Sequence, residues 1–164
     1  MIIFGIDPGT AITGYGVIGT EKSSVRWIDS GVIATKPSLP LAERLERIYD
    51  TLIDKMNKHA PDRVCIEEAF YGKNVHTTLV LGHSRGVAML AAKKAGAVVT
   101  EYSPRQIKKA VTGNGNAAKE QVAYMIRMLL TPPQKHDQTD AYDALAVALC
   151  DFQQGRYRTA FSPR

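Results

Sequence analysis

The chain has 164 residues, of which 45% are hydrophobic and 23% charged, enough for one domain with a real core and too apolar for a disordered segment. Its formal net charge is +5, a mild excess that by itself identifies no polyanionic partner. No apolar run approaches the roughly 20 residues that a membrane span requires, and the opening MIIFGID meets an acid at position 7 without a basic leader, which excludes a signal peptide and a membrane partner.

IIFGID (2–7) reads as an apolar strand, and TGYGVIG (13–19) and VRWIDSGVIAT (25–35) as two more, joined by short polar turns. PLAERLERIYDTLIDKMNKH (40–59) has the helical period, with Leu41, Leu45, Ile48, Leu52, Ile53 and Met56 on one side. RVCIEE (63–68) is a strand, 76–95 a second helix, and AVVTEY (97–102) a fifth strand. SPRQIKKAV (103–111) is a helix with Ser103 as cap and Pro104 in its first position. GNGN is a loop, AAKEQVAYMIRMLL (117–130) a helix, TPPQ a break, and TDAYDALAVALC (139–150) the last helix, with a polar tail expected to fray from about Gln153. Three consecutive strands followed by alternating helices and strands predict an α/β domain spanning 1–164. Its mixed five-stranded sheet joins a three-strand antiparallel meander to two parallel strands and is flanked by helices. Cys65 and Cys150 sit far apart in apolar segments, as buried free thiols of a reducing cytoplasm.

The acids stand out. Asp140 and Asp143 share a helical stripe with Ala144 and Val147, which places two carboxylates at the head of a face that belongs in a core. Neighbouring carboxylates desolvate poorly unless a cation or proton joins them, although acids also suit a helix N-terminus. Asp7 ends the first strand, where ligand sites of open α/β sheets lie. The Pro8-Gly9 that follows stops pairing and lets a ligand or chain approach the backbone closely. RVCIEE also ends in carboxylates, and alternation sends Glu67 and Glu68 to opposite faces without choosing between them. Two strand-terminal acids with a helical acid pair suit a divalent cation held by hard oxygen ligands. Between positions 69 and 119 stand eight basic residues, Lys73, Arg85, Lys93, Lys94, Arg105, Lys108, Lys109 and Lys119, against the single acid Glu101. A basic segment beside an acidic cluster is the combination a polyanion-cutting site needs: cations for phosphates, carboxylates for metal.

Four ordered blocks, GIDPGTAITGYGVI, IEEAFYGKNVHTTLVLGHSRGVAMLAA, YSPRQIKKAVTGNGNAAKEQV and TDAYDALAVAL, resemble the RuvC Holliday-junction resolvases over about residues 2–150. The resemblance implies a ribonuclease H-like fold, a homodimer, and a site for divalent metal, two magnesium ions with manganese able to substitute. Its four catalytic and metal-holding carboxylates fall on Asp7, Glu67, Asp140 and Asp143, which selects Glu67 over Glu68. It implies resolution of four-way DNA junctions in recombination and repair, leaving 5′-phosphate and 3′-hydroxyl ends, beside a RuvAB-type branch-migration motor. GHSRG stands where the family usually has GQARG, and HTTLVL where a Ser-Ala-Leu version is commoner, but neither touches a carboxylate position.

By the same resemblance Phe70 is a base-stacking aromatic, and Lys108 and Lys119 contact phosphate or stabilise charge. Tyr71 is left open, and Lys73, Arg105 and Lys109 are general DNA contacts or solvated side chains. GNGNAAKE is no Walker loop, since no Gly-Lys-Ser/Thr follows. Gly82, Gly86, Ala88, Ala91 and Ala92 form a small-residue face for packing on the sheet or across a dimer. His76, His83 and His136 lack metal-ligand spacing, and Asp137 caps the last helix or supports the acids. Three rival functions remain: an actin-like ATPase, which needs two such halves in a longer chain; a ribonuclease H-like nuclease acting on RNA; and a non-catalytic DNA-binding module, which has no use for four carboxylates.

Overall fold

The computed structural model describes residues 1–68, 75–132 and 139–160. Its elements are β1 (Ile2–Asp7), β2 (Ile12–Glu21), β3 (Ser24–Ala34), α1 (Leu41–His59), β4 (Arg63–Glu67), α2 (Val75–Lys94), β5 (Val98–Tyr102), α3 (Pro104–Thr112), α4 (Lys119–Leu130) and α5 (Thr139–Ala160). The sheet order is β3-β2-β1-β4-β5. The meander β1-β2-β3 is antiparallel, while β4 runs parallel to both β1 and β5. This is the mixed five-stranded sheet the sequence predicts.

Side-chain alternation sorts the core into two layers. Phe4, Ile6, Val17, Val64 and Ile66 face α1 and α2, meeting Ile48, Leu52, Met56, Ala88 and Ala91. Ile3, Ile18 and Cys65 face the other way, onto α3, α4 and the long α5. From Ala144 to Cys150 every residue of α5 is buried, so this helix is apolar all round and lies between the sheet and α3–α4.

Glycines let α5 come so close. A Cβ on Gly5 would overlap the carbonyl oxygen of Ala144, one on Gly14 the carbonyl oxygen of Asp140, and one on Gly16 would stand 2.7 Å from Leu145 Cγ. Bare backbone on β1 and β2 therefore meets an alanine-rich helix, and the N-terminal end of α5 is drawn against the strand that carries Asp7.

α3 starts as predicted. Ser103 Oγ accepts from the Gln106 N–H while Gln106 Oε1 accepts from the Ser103 N–H at 2.9 Å, with Pro104 leading the helix.

One expectation needs correction, and two alternatives that the sequence left open are settled. The segment from Gln153, expected to fray, continues α5 to Ala160; burial of Cys150, Asp151 and Phe152 anchors the helix immediately before it. Gly9 serves the turn itself, because its missing Cβ makes room for the carbonyl of Ile12, while Thr13 Oγ1 donates back to the Gly9 carbonyl. Gly82 and Gly86 do not pack on the sheet, since a Cβ at either would have nothing within 4 Å. Cys65 and Cys150 are free, buried thiols; burial pushes the Cys150 thiol up to about 12 and Cys65 up as well, so both are inert.

Candidate active site at the ends of two parallel strands

Asp7 and Glu67 are the last residues of adjacent parallel strands, one step beyond the Ile6–Ile66 pair. Alternation from Ile3 and Gly5 turns Asp7 toward α5, and alternation from Cys65 turns Glu67 the same way. Glu68 falls to the other side and is exposed. Sheet register thus supplies the choice that the sequence pattern left open. Asp143, early in α5, completes a cavity of about 140 Å³ lined also by Pro104, Ile107, Lys108, Lys119, Val122 and Ala146. Asp140 does not line the cavity, yet its charge acts on Asp7.

Burial and crowding decide the electrostatics. Burial first, then the charges of Glu67, Asp143 and Asp140, push the Asp7 carboxyl up to about 8, with Lys119 opposing. Glu67 is also raised, by burial and then by Asp143, against the pull of Lys119, a hydrogen bond with Asp7, and Lys108. Lys119 Nζ lies 3.2 Å from Asp143 Oδ2, and that carboxylate holds the ammonium's pKa above its ordinary value. The lysine supplies one positive charge to a cluster of acids that needs more.

The donor set fits a hard divalent cation: carboxylate oxygens of Asp7, Glu67 and Asp143 line one cavity, and added positive charge there would favour the ionised form of Asp7, which burial and its acidic neighbours disfavour. Among the described residues no three acidic, histidine or cysteine side chains stand together as a ready coordinating group.

The other predicted residues divide. Lys108 lines the cavity from α3, and Arg105 and Lys109 are exposed on that helix. Arg85 pairs with Glu101 at 2.5 Å, so it does not belong to a purely DNA-facing basic surface. His76 and His83 are exposed. Phe70, Tyr71, Lys73, His136 and Asp137 lie outside the described residues. Sequence reasoning passed over Asp151, a carboxylate 1% exposed on α5 that Arg63 holds in a two-pronged ion pair. Its signal was the stripe Asp143–Val147–Asp151, which continues at four-residue spacing.

A family model described as "Crossover junction endodeoxyribonuclease RuvC" matches residues 3–151. The chain belongs to the RuvC family. It is 46% identical over 153 residues to a protein of that name from Desulforamulus reducens, covering 93% of this chain and 94% of that protein. The namesake from Syntrophotalea carbinolica is 49% identical over 150 residues, covering 92% of each. A solved structure of Thermus thermophilus RuvC in complex with a Holliday junction substrate superposes with a TM-score of 0.90 at 34% identity, over 97% of each chain. The yeast mitochondrial Holliday junction resolvase Ydc2 shares the fold at a TM-score of 0.66 and 17% identity, covering 96% of this chain and 83% of that one. These likenesses agree with a ribonuclease H-like fold.

Proposed function

We infer that this protein is a crossover junction endodeoxyribonuclease that resolves four-way DNA junctions by metal-dependent hydrolysis of phosphodiesters, leaving 5′-phosphate and 3′-hydroxyl ends. One observation carries the reading: in a RuvC-family chain, three carboxylates and two lysines line one cavity at the carboxyl ends of adjacent parallel strands. Asp7, Glu67 and Asp143, with Asp140 beside them, are the residues to hold two magnesium ions, or manganese in their place. Bound there, the metal supplies a lowered water pKa and charge stabilisation for an in-line displacement.

The protein's own groups do the rest. Asp7 and Glu67 offer oxygens from rigid strand ends, so their positions are set by the sheet. Lys119 and Lys108 bring positive charge to the cavity mouth, where the phosphate diester enters. Arg105 and Lys109 on α3 extend that charge outward for the DNA backbone, and Lys73 is a further DNA contact by its place in the sequence alone. Phe70, three residues past Glu67, is placed by the sequence to stack on a base unpaired at the junction.

A junction cut on two like strands calls for two sites related by symmetry, hence a homodimer. The exposed face of α2 suits its interface, with Gly82 and Gly86 open and Leu79 and Leu90 exposed by 60% and 53%. A RuvAB-type motor is the expected partner of the bound junction. Among the described residues no helix is long and apolar enough to cross a membrane.

The testing experiment offers the purified protein equal amounts of a synthetic four-way junction, a linear duplex of the same sequence and an RNA–DNA hybrid, in magnesium. Paired cuts confined to the junction are expected. Preferential cutting of the hybrid would move the chain to the RNA-directed nucleases, and binding without cutting would make it a DNA-binding module.

A further inference from the structure

We propose that Asp151 is a positioning residue, a pin that fixes the register of α5 against β4 and so holds Asp143 across from Glu67. This rests on the reading of the cavity as a metal site. Arg63 opens β4 and Glu67 closes it, both turned to α5 by alternation. Arg63 Nε donates to Asp151 Oδ2 at 2.6 Å and its terminal nitrogen to Oδ1 at 2.7 Å. At the far end of β4, and eight residues earlier in α5, Glu67 and Asp143 line one cavity.

The spacings match. Four strand residues from Arg63 to Glu67 cover about 13 Å, and eight helical residues from Asp151 back to Asp143 cover about 12 Å. The strand and helix run antiparallel, so an ion pair at one end places the carboxylates face to face at the other. A slip of α5 by a single residue would shift Asp143 by about 1.5 Å along the axis and turn it by about 100°.

The pin has further supports. Tyr102 Oη donates to Asp151 Oδ1 at 2.7 Å and Thr100 Oγ1 to the same oxygen at 3.1 Å, both from β5. Burial opposes the Asp151 charge, but hydrogen bonds from Arg63, Tyr102 and Thr100 outweigh it and keep the carboxyl below its ordinary range. Tyr102 immediately precedes Ser103, the cap of the helix that carries Lys108. One buried carboxylate therefore ties together the strand of Glu67, the helix of Asp143 and the approach to Lys108.

The pin is tested by titrating Mn²⁺ into the full-length protein and its variants by calorimetry, with the half-saturating Mg²⁺ concentration for cleavage as a second readout. Asp151→Asn is expected to keep helical circular dichroism yet bind Mn²⁺ about 10- to 100-fold more weakly, the loss typical when support for a metal ligand is removed. Half-saturating Mg²⁺ is expected to rise in step while kcat at saturating metal changes less. Arg63→Lys, which keeps the charge and loses the two-pronged geometry, is expected to shift both in the same direction and decides the matter if Asp151→Asn does not fold. Unchanged Mn²⁺ affinity in a folded variant, with only a lower Tm, would overturn the pin and leave Asp151 a packing residue. If Asp143→Asn also left Mn²⁺ binding intact, the reading of the cavity would fall, and the pin with it.

Discussion

Lys119 Nζ stands 3.2 Å from Asp143 Oδ2, linking the first residue of α4 to the acid-bearing start of α5 across the mouth of the cavity. The lysine side chain is largely exposed, so this pair adds little to stability. Its value is charge beside Asp7 and Glu67, both of which it pulls toward ionisation. Lys119→Ala is expected to lower kcat by about 10- to 100-fold, as loss of a transition-state charge partner does, with Tm unmoved and junction Kd changed by less than about threefold. Single-turnover cleavage and metal-free junction binding measure the two effects; equal losses in both would make Lys119 a phosphate anchor only.

Asp7 gives the metal-free protein a stability signature in pH. Its folded carboxyl is pushed up to about 8 from the ordinary 3.8, so the folded state holds a proton that the unfolded state releases. The stability linked to that proton is fully present below about pH 3.8 and is lost as pH rises through about 8. Asp7→Asn, which cannot ionise, is expected to match wild type near pH 4 and to become progressively more stable than wild type toward pH 8 in EDTA. Melting curves at stepped pH check this, and a difference that stays constant with pH would show Asp7 to be charged throughout.

Gly5→Ala tests the seating of α5. The added Cβ would overlap the Ala144 carbonyl oxygen and stand 2.7 Å from the Ala148 nitrogen, both of them backbone atoms. A loss of about 1–3 kcal/mol is expected from overpacking, with cleavage reduced further because Asp143 moves with the helix. Gly155→Ala, at an open position of the same helix, is the control and is expected to gain up to about 1 kcal/mol from helix propensity. Thermal melts and cleavage rates of both variants decide it.

Phe70 carries a test that depends on sequence position alone. If its ring stacks on a base at an opened junction, Phe70→Ala slows cleavage of an intact junction by about ten- to a hundredfold, the full stacking energy appearing as barrier. The loss is smaller on a junction with unpaired bases already at its centre, and Tm does not move. A Tm lower by several degrees with equal loss on both substrates would identify Phe70 as a packing residue.

Most of the fold was legible because its signals are local. Period-2 and period-3.6 patterns mark the strands and helices, and Ser103-Pro104 announces α3 through its own capping chemistry. The carboxylates were legible as a set but not in detail: the pattern left Glu67 and Glu68 equivalent until the pairing of β1 with β4 gave each a face. The helical stripe through Asp143 and Val147 marks Asp151 as inward-facing, but its partner Arg63 is 88 residues away and nothing local names it; Asp151 also stood beside residues taken for a loose tail. Gly9 was legible as a point of close approach, but only the three-dimensional turn shows that what approaches is the chain itself, at the Ile12 carbonyl.

The most direct test of the central claim is cleavage of a synthetic four-way junction by wild type, Glu67→Gln and Glu68→Gln, each with magnesium and with EDTA. The account predicts paired cuts by wild type and Glu68→Gln in magnesium alone. It predicts none by Glu67→Gln under either condition, although that variant binds the junction at least as well as wild type does. Cleavage by Glu67→Gln at a rate near wild type, or cleavage that persists in EDTA, would contradict a metal site built on Asp7, Glu67, Asp140 and Asp143.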